Sequence, residues 1–261
     1  MIWADVDGEK QVAQKGLTGV CPGCKESLIP RCGEINAHHW AHKVNDCDSW
    51  SEGETAWHIW WKNHFPVEWQ EVSLGEHRAD VQTPTTVVEF QHSTISTEEI
   101  RRREEYYGDM VWVVDASAFS KNWSKRHGQS PDWFGYKWKY MRKTWERAKC
   151  RVFMDFTSSR NMTDHMGYDV HPWGPDERTM FFIKRLDTVR RYAWGAWVDF
   201  DVLINSVTPK KYQSQLPEKP EIDLVRDFDR VPTDDTQSMA MMQDYAADMV
   251  WWACFLEDKG C

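Results

Sequence analysis

Residues 77–92, HRADVQTPTTVVEFQH, constrain this chain most. Apolar and polar residues alternate on either side of a turn at Pro84, which reads as two short strands of a hairpin. Strand side chains alternate faces, so Arg78, Asp80 and Gln82 share one face of the first strand. Val87, Glu89 and Gln91 share one face of the second. A turn centred between Pro84 and Thr85 sets Asp80 directly opposite Glu89, with Cβ atoms about 5 Å apart. Opposed carboxylates repel unless a cation lies between them, and a divalent metal with oxygen ligands meets that need. The competing reading is a solvated hairpin face with both acids in water.

The flanking text extends the pattern. Ser96 with Glu99 forms a capping box and Ile95 with Ile100 a hydrophobic staple, which starts a helix near Thr97. That helix carries Arg101, Arg102, Arg103, Tyr106 and Tyr107 and stops at Gly108. Residues 110–114, MVWVV, are continuously apolar, as a buried strand is. Upstream, residues 52–65 read as a helix, with Trp57, Trp60, Trp61 and His64 as a core-facing stripe. Glu54, His58 and Lys62 recur every fourth residue along its flank; by spacing alone this is an exposed, salt-bridged ladder. Residues 66–73 form a first strand, whose Glu71 either approaches the hairpin acids or is solvated. Helix (53–65), strands (66–73, 77–83, 86–92), helix (97–107) and strand (110–115) make an α/β layer arrangement.

Nearer the N-terminus, Cys21-Pro-Gly-Cys24 forms a knuckle, followed by His38, His39, His42 and Cys47. Cys-x2-Cys and a later His-x2-His have the ligand types and count of a structural zinc site. Cys32, Cys47 and His38 are competing ligands. Binding such a zinc contributes on the order of 10 kcal/mol to folding.

Taken together, the motifs RADV, VVEFQHSTIS, RRREEYYG and VWVV, with the knuckle before them, resemble the CoiA-like competence proteins of the PD-(D/E)XK nuclease superfamily. The resemblance covers roughly residues 20–115 and not the C-terminal half. It implies a restriction-endonuclease-like αβββαβ core with an N-terminal zinc knuckle and a C-terminal α+β extension. It implies that Asp80, Glu89 and the Phe90 carbonyl hold Mg²⁺ or Mn²⁺, with Glu54 a third catalytic acid and His58 beside the site. Gln91 stands where the superfamily usually has Lys, and His39 and His42 complete the zinc site with Cys21 and Cys24. Gln91 can orient a water but brings no charge. Lys62, Arg78 or a second metal must therefore compensate, and Arg78, opposite Gln91 in the expected register, is the favoured group. The implied activity is metal-dependent hydrolysis of phosphodiester bonds in DNA, linked to DNA processing or recombination. The alternative is a catalytically inactive nuclease-fold module that binds DNA or a recombination partner protein. A third reading is a zinc-containing interaction protein with no nucleic-acid role.

The expected division is a knuckle module (1–50), a nuclease-like core (51–116), a basic and β-rich extension (117–205) and an acidic linker with a C-terminal helix (206–261). Net charge is −9, which opposes phosphate binding at long range, so any contact with DNA rests on local patches. Residues 137–151, KWKYMRKTWERAKCR, supply one: seven cations interleave with Trp138, Tyr140 and Trp145, as a nucleic-acid groove or as an amphipathic helix. Lys137, Lys139, Arg142 and Lys143, with Arg78 and Arg102, are the candidate DNA contacts. Further strands are expected at 150–156, 179–185 and 193–204, the last with Asp199 and Asp201 facing solvent. Residues 236–257 read as a helix whose Met and aromatic stripe is core or an oligomer contact. No apolar run reaches about 18 residues, so no membrane span is expected. A charged N-terminus and an odd number of cysteines point to the cytoplasm without a disulfide framework.

Overall fold

A computed structural model describes residues 1–33, 38–44, 47–51, 53–125, 134–156, 163–164 and 179–217. The chain is a mixed α/β structure that divides into two units. One comprises Met1–Phe90 and Lys211–Pro220, the other Gln91–Lys210 and Glu221–Cys261. The helix expected over 236–257, most of the 206–236 linker, His165 and His171 lie outside the described residues.

The first unit opens with β1 (Trp3–Val6), β2 (Glu9–Val12), β3 (Gly19–Val20), β4 (Ser27–Arg31) and β5 (His39–His42). They form an antiparallel sheet in the order β2-β1-β3-β4-β5. Asp7 and Gly8 both have positive φ (55° and 91°), the geometry of a two-residue type I′ turn, whose twist matches its strands. Leu28 and Trp40 anchor a small core with Ala4, Val6 and Ala13. Helix α1 (Ala56–Lys62) follows, and Thr55 caps it in a capping box with His58. Trp61 is fully buried and its ring stacks on Phe90 at 5.7 Å. After a 3-10 turn at Val67–Trp69 come β6 (Gln70–Leu74), β7 (His77–Gln82) and β8 (Val87–Gln91), paired antiparallel in that order. Pro66 replaces the expected start of a strand with this turn, because its fixed φ and missing N–H suit a helix entry better than a ladder.

The second unit holds α2 (Thr97–Tyr107) and β9 (Met110–Asp115), both with the expected bounds. Ser96 Oγ accepts from Glu99 N–H, while the Glu99 carboxylate accepts from Arg103 and not from the cap. Then come β10 (Trp123–Lys125), β11 (Phe134–Trp138), β12 (Arg151–Asp155), β13 (Thr163–Asp164), β14 (Thr179–Asp187), β15 (Tyr192–Asp199) and α3 (Phe200–Val207). Their order is β13-β10-β11-β15-β14-β12-β9, with β12 parallel to β9. The inner face carries an aromatic cluster of Trp123, Tyr136, Trp138, Phe181 and Trp197. The Trp197 indole donates to Tyr136 Oη at 2.8 Å, and burial pushes the Tyr136 phenol up to about 12. Glu104 ties α2 down: it accepts from the Trp112 indole and from the N–H groups of Lys149 and Cys150. Two expectations are corrected here. Residues 137–151 are no amphipathic helix but the end of β11, a loop and a 3-10 turn at Lys143–Arg147. The strand expected to run to 204 ends at Asp199, whose carboxylate accepts from Asp201 N–H and caps α3.

Candidate functional site

In the first unit a row of acids crosses the sheet. Val81 pairs with Val88 and Gln82 with Val87, the symmetric register expected for the hairpin. Beyond that point the ladder gives way to side chains. Asp80 N–H donates to Glu89 Oε1 at 3.1 Å, and Phe90 N–H donates to Asp80 Oδ2 at 2.9 Å. On the other edge of β7, Gln70 pairs with Val81 and Val72 with Ala79, so Glu71 falls level with Asp80. Glu71 has φ of 49°, a left-handed conformation that costs a non-glycine residue roughly 1–3 kcal/mol. Three carboxylates side by side on adjacent strands would drive those strands apart without a countercharge.

Lys62 supplies it. Its ammonium lies 2.8 Å from Glu54 Oε1, 2.9 Å from Glu71 Oε1 and 3.0 Å from Asp80 Oδ1, and the residue is 1 % exposed. The flank of α1 is therefore no exposed ladder. His58 and Lys62 are buried beside the tryptophan stripe, and Glu54 reaches Lys62 from just before the helix cap. Burial alone would lower the Lys62 pKa, but Asp80, Glu54 and Glu71 overcome it and hold the ammonium well above its ordinary value. Burial would likewise raise Glu71 and Asp80, yet Lys62 pulls both down. Glu54 differs: burial dominates and raises it, making it the readiest of these acids to take a proton. Of the two readings of Glu71, the structure has the one that approaches the hairpin acids: the residue is 2 % exposed and also accepts from the N–H groups of Ile2 and Trp3.

The other expected groups sit as follows. The Phe90 carbonyl lies 3.1 Å from His58 Nε2. The Gln91 amide donates to the Ser93 carbonyl and hydroxyl. Arg78, favoured as the compensating cation, turns instead to Ser51 Oγ at 3.2 Å, and its N–H donates to Asp48. In the second unit Arg102 pairs with Glu98 on the exposed side of α2. Lys137, Lys139 and Lys143 are exposed, whereas Arg142 is half-buried with its guanidinium 4.4 Å above the Phe119 ring.

A second cluster lies beside the N-terminal sheet. The ligand atoms of Cys21, Cys24, His42 and Cys47 all come within 4.8 Å of one another, the one such group of three or more His, Cys, Asp or Glu among the described residues. Cys21 Sγ and Cys47 Sγ are 3.7 Å apart, and Cys24 Sγ is 3.2 Å from His42 Nε2. The sulfur pair is too distant for a disulfide of about 2 Å and close to the edge of a tetrahedron with ~2.3 Å zinc–sulfur bonds. Burial and the neighbouring Cys21 and Cys24 thiols push the Cys47 thiol up to about 12, so Cys47 ionises readily only beside a cation. The cluster could therefore bind a metal such as zinc.

His39 stands outside this group, and Cys47 takes the place expected for it. His39 and His42 lie on strand β5, where residues three apart face opposite sides. His42 points to the buried side with Trp40, and His39 to the other. Cys32 packs on the small core and His38 is exposed. Among the competing ligands that the sequence offers, the strand conformation of HWAH selects Cys47 by disqualifying His39.

Among the described residues no helix is long and apolar enough to cross a membrane. No curated protein and no solved structure matches the chain. Residues 8–49 match the family model described as competence protein CoiA, N-terminal domain, a segment containing all four residues of the Cys/His cluster, and over that segment the chain is CoiA-like.

Proposed function

We propose that this protein is a metal-dependent nuclease acting on DNA in the cytoplasm, with a zinc knuckle and a restriction-endonuclease-like core, and that it serves DNA uptake or recombination. The observation that carries this reading is the buried ammonium of Lys62 in contact with three carboxylates, those of buried Glu54 and Glu71 and half-buried Asp80, beside the Asp80–Glu89 pair. Such a cluster destabilises a sheet and is retained where chemistry needs it. Its excess negative charge, and a buried Glu54 Oε2 with no hydrogen-bond partner among the described residues, suit a divalent cation held by Asp80 and Glu89. A bound Mg²⁺ or Mn²⁺ supplies a Lewis acid that acidifies water and offsets phosphate charge. Lys62 delivers from α1 the full positive charge that Gln91 lacks, next to Asp80 and so next to a bound phosphate. Glu54, the readiest proton acceptor of the cluster, accepts or returns a proton, and His58 fixes the Phe90 carbonyl that follows Glu89.

A second reading is a non-catalytic DNA-binding or recombination-partner module. It is favoured by the same contacts read differently: Lys62 already occupies Asp80 Oδ1, and His58 the Phe90 carbonyl. Cleavage of labelled single-stranded, duplex and branched DNA with Mg²⁺ or Mn²⁺ separates the two, using zinc-loaded wild type beside Asp80→Ala and Glu89→Ala. Loss of cleavage in both folded variants supports the nuclease. Absence of cleavage by folded wild type on every substrate overturns it.

A further inference from the structure

The second unit carries a surface that the acid cluster does not involve. Arg185 on β14 pairs in register with Trp194 on β15, and Asp187 with Tyr192. On the far side of β15, Trp194 lies level with Gly135 and Tyr192 with Lys137. Alternation puts all of these on one face, opposite the buried face of Tyr136 and Ala193. Trp194 lies flat across β11 because residue 135 is glycine: a Cβ there would stand 2.6 Å from Cζ3 of the indole. Tyr192 is tilted 54° to Trp194, with centroids 6.3 Å apart, so the two rings do not cover one another. Arg185, Asp187, Arg190, Tyr192 and Trp194 line an open pocket of about 290 Å³. Its single acid is engaged at the hairpin turn, Asp187 Oδ1 accepting from Arg190 N–H.

From this face we infer a binding site for single-stranded nucleic acid, with bases against Tyr192 and Trp194 and phosphates against Arg185, Arg190 and Lys137. The chemistry selects the ligand. Ring faces beside cations match a base beside its phosphate, and every base offers such a face once it is unstacked. A duplex hides those faces and would meet the cations alone. The site belongs to the second unit, and the inference does not depend on the proposed nuclease chemistry.

Fluorescence anisotropy with labelled oligothymidylate tests it, using zinc-loaded full-length protein without added Mg²⁺ or Mn²⁺, so that binding is read whether or not the protein cleaves. Arg185→Ala with Arg190→Ala should weaken binding and flatten the slope of log K against log salt by about 1.4, near 0.7 for each phosphate contact. Arg185→Lys with Arg190→Lys should keep that slope. Tyr192→Ala should weaken binding about fivefold or more, and Arg101→Ala, on the exposed side of α2, should leave it unchanged. Both arginines are exposed, so melting temperatures should match wild type. Three results overturn the inference: no binding by wild type, equal binding by the double alanine variant, or competition by a free mononucleotide as strong as by the oligomer.

Discussion

Replacing Lys62 with Met keeps the apolar stem and removes the charge. The native ammonium is 1 % exposed, with carboxylate oxygens at 2.8, 2.9 and 3.0 Å. Removing one partner of a buried ion pair costs about 3–5 kcal/mol, because the charge left behind keeps its desolvation penalty. Three stranded carboxylates place Lys62→Met at the upper end of that range at neutral pH, a fall in melting temperature of roughly 10 °C or more. The pH dependence should also steepen. In wild type Glu71 and Asp80 titrate below their ordinary values. Their stabilisation is thus complete above the unfolded pKa of about 4 and is lost as pH falls through the lower folded values. Without Lys62, burial and mutual repulsion raise them, so protons bind more tightly to the folded state. The variant then gains more stability than wild type as pH falls from 7 toward 5, since in wild type Glu54 is raised while Glu71 and Asp80 are lowered. Urea unfolding of zinc-saturated protein, followed by circular dichroism across that range, measures both. The difference between the two profiles cancels the contribution of the zinc ligands. A variant within about 1 kcal/mol of wild type, with a parallel pH profile, would refute the claim that Lys62 is the countercharge of the cluster.

Other outcomes follow from single contacts. Cys47→Ala should lose bound zinc by elemental analysis, while His39→Ala keeps it, since Cys47 and not His39 belongs to the cluster. Glu104→Ala should cost about 3 kcal/mol in urea unfolding, because two buried donors and one half-buried donor lose their acceptor, and should leave the zinc content unchanged. Ser96→Ala should cost about 1 kcal/mol through loss of the α2 cap. Gly135→Ala should displace the Trp194 ring and lower oligonucleotide affinity without affecting zinc.

The elements that the sequence describes best carry their own boundary chemistry. The hairpin register was legible because Thr83 and Thr86 close a tight turn about Pro84 and Thr85. Helix α2 was legible from Ser96 and Gly108, and β9 from an unbroken apolar run. The end of β15 was missed because Leu203, Ile204 and Val207 on α3 are as apolar as a strand, and the one stop signal is the capping carboxylate of Asp199. In the candidate site, Asp80, Glu89, Glu54 and Lys62 could be named, but their mutual arrangement could not. Four-residue spacing fits an exposed ladder as well as a buried flank, and only the packing of α1 on β8 decides between them. The choice of Lys62 over Arg78 likewise turns on Asp48 and Ser51, which hold Arg78 at the start of β7.

Asp48 is also the residue after Cys47. One of its carboxylate oxygens lies 2.8 Å from His77 Nδ1 and the other accepts from Arg78 N–H, while Trp50 stacks on the His77 ring at 3.2 Å. The loop that reaches the cysteine cluster therefore also clamps the strand that carries Asp80 two residues further on. Stripping zinc would slacken that clamp and shift the acidic row without any change at the row itself. On the proposed nuclease reading, a chelator would then abolish cleavage even if no other ion had ever been bound. Inhibition by chelation alone is thus a measure of how firmly β7 is gripped. Only titration of Mg²⁺ or Mn²⁺ at constant zinc addresses the chemistry of the acids.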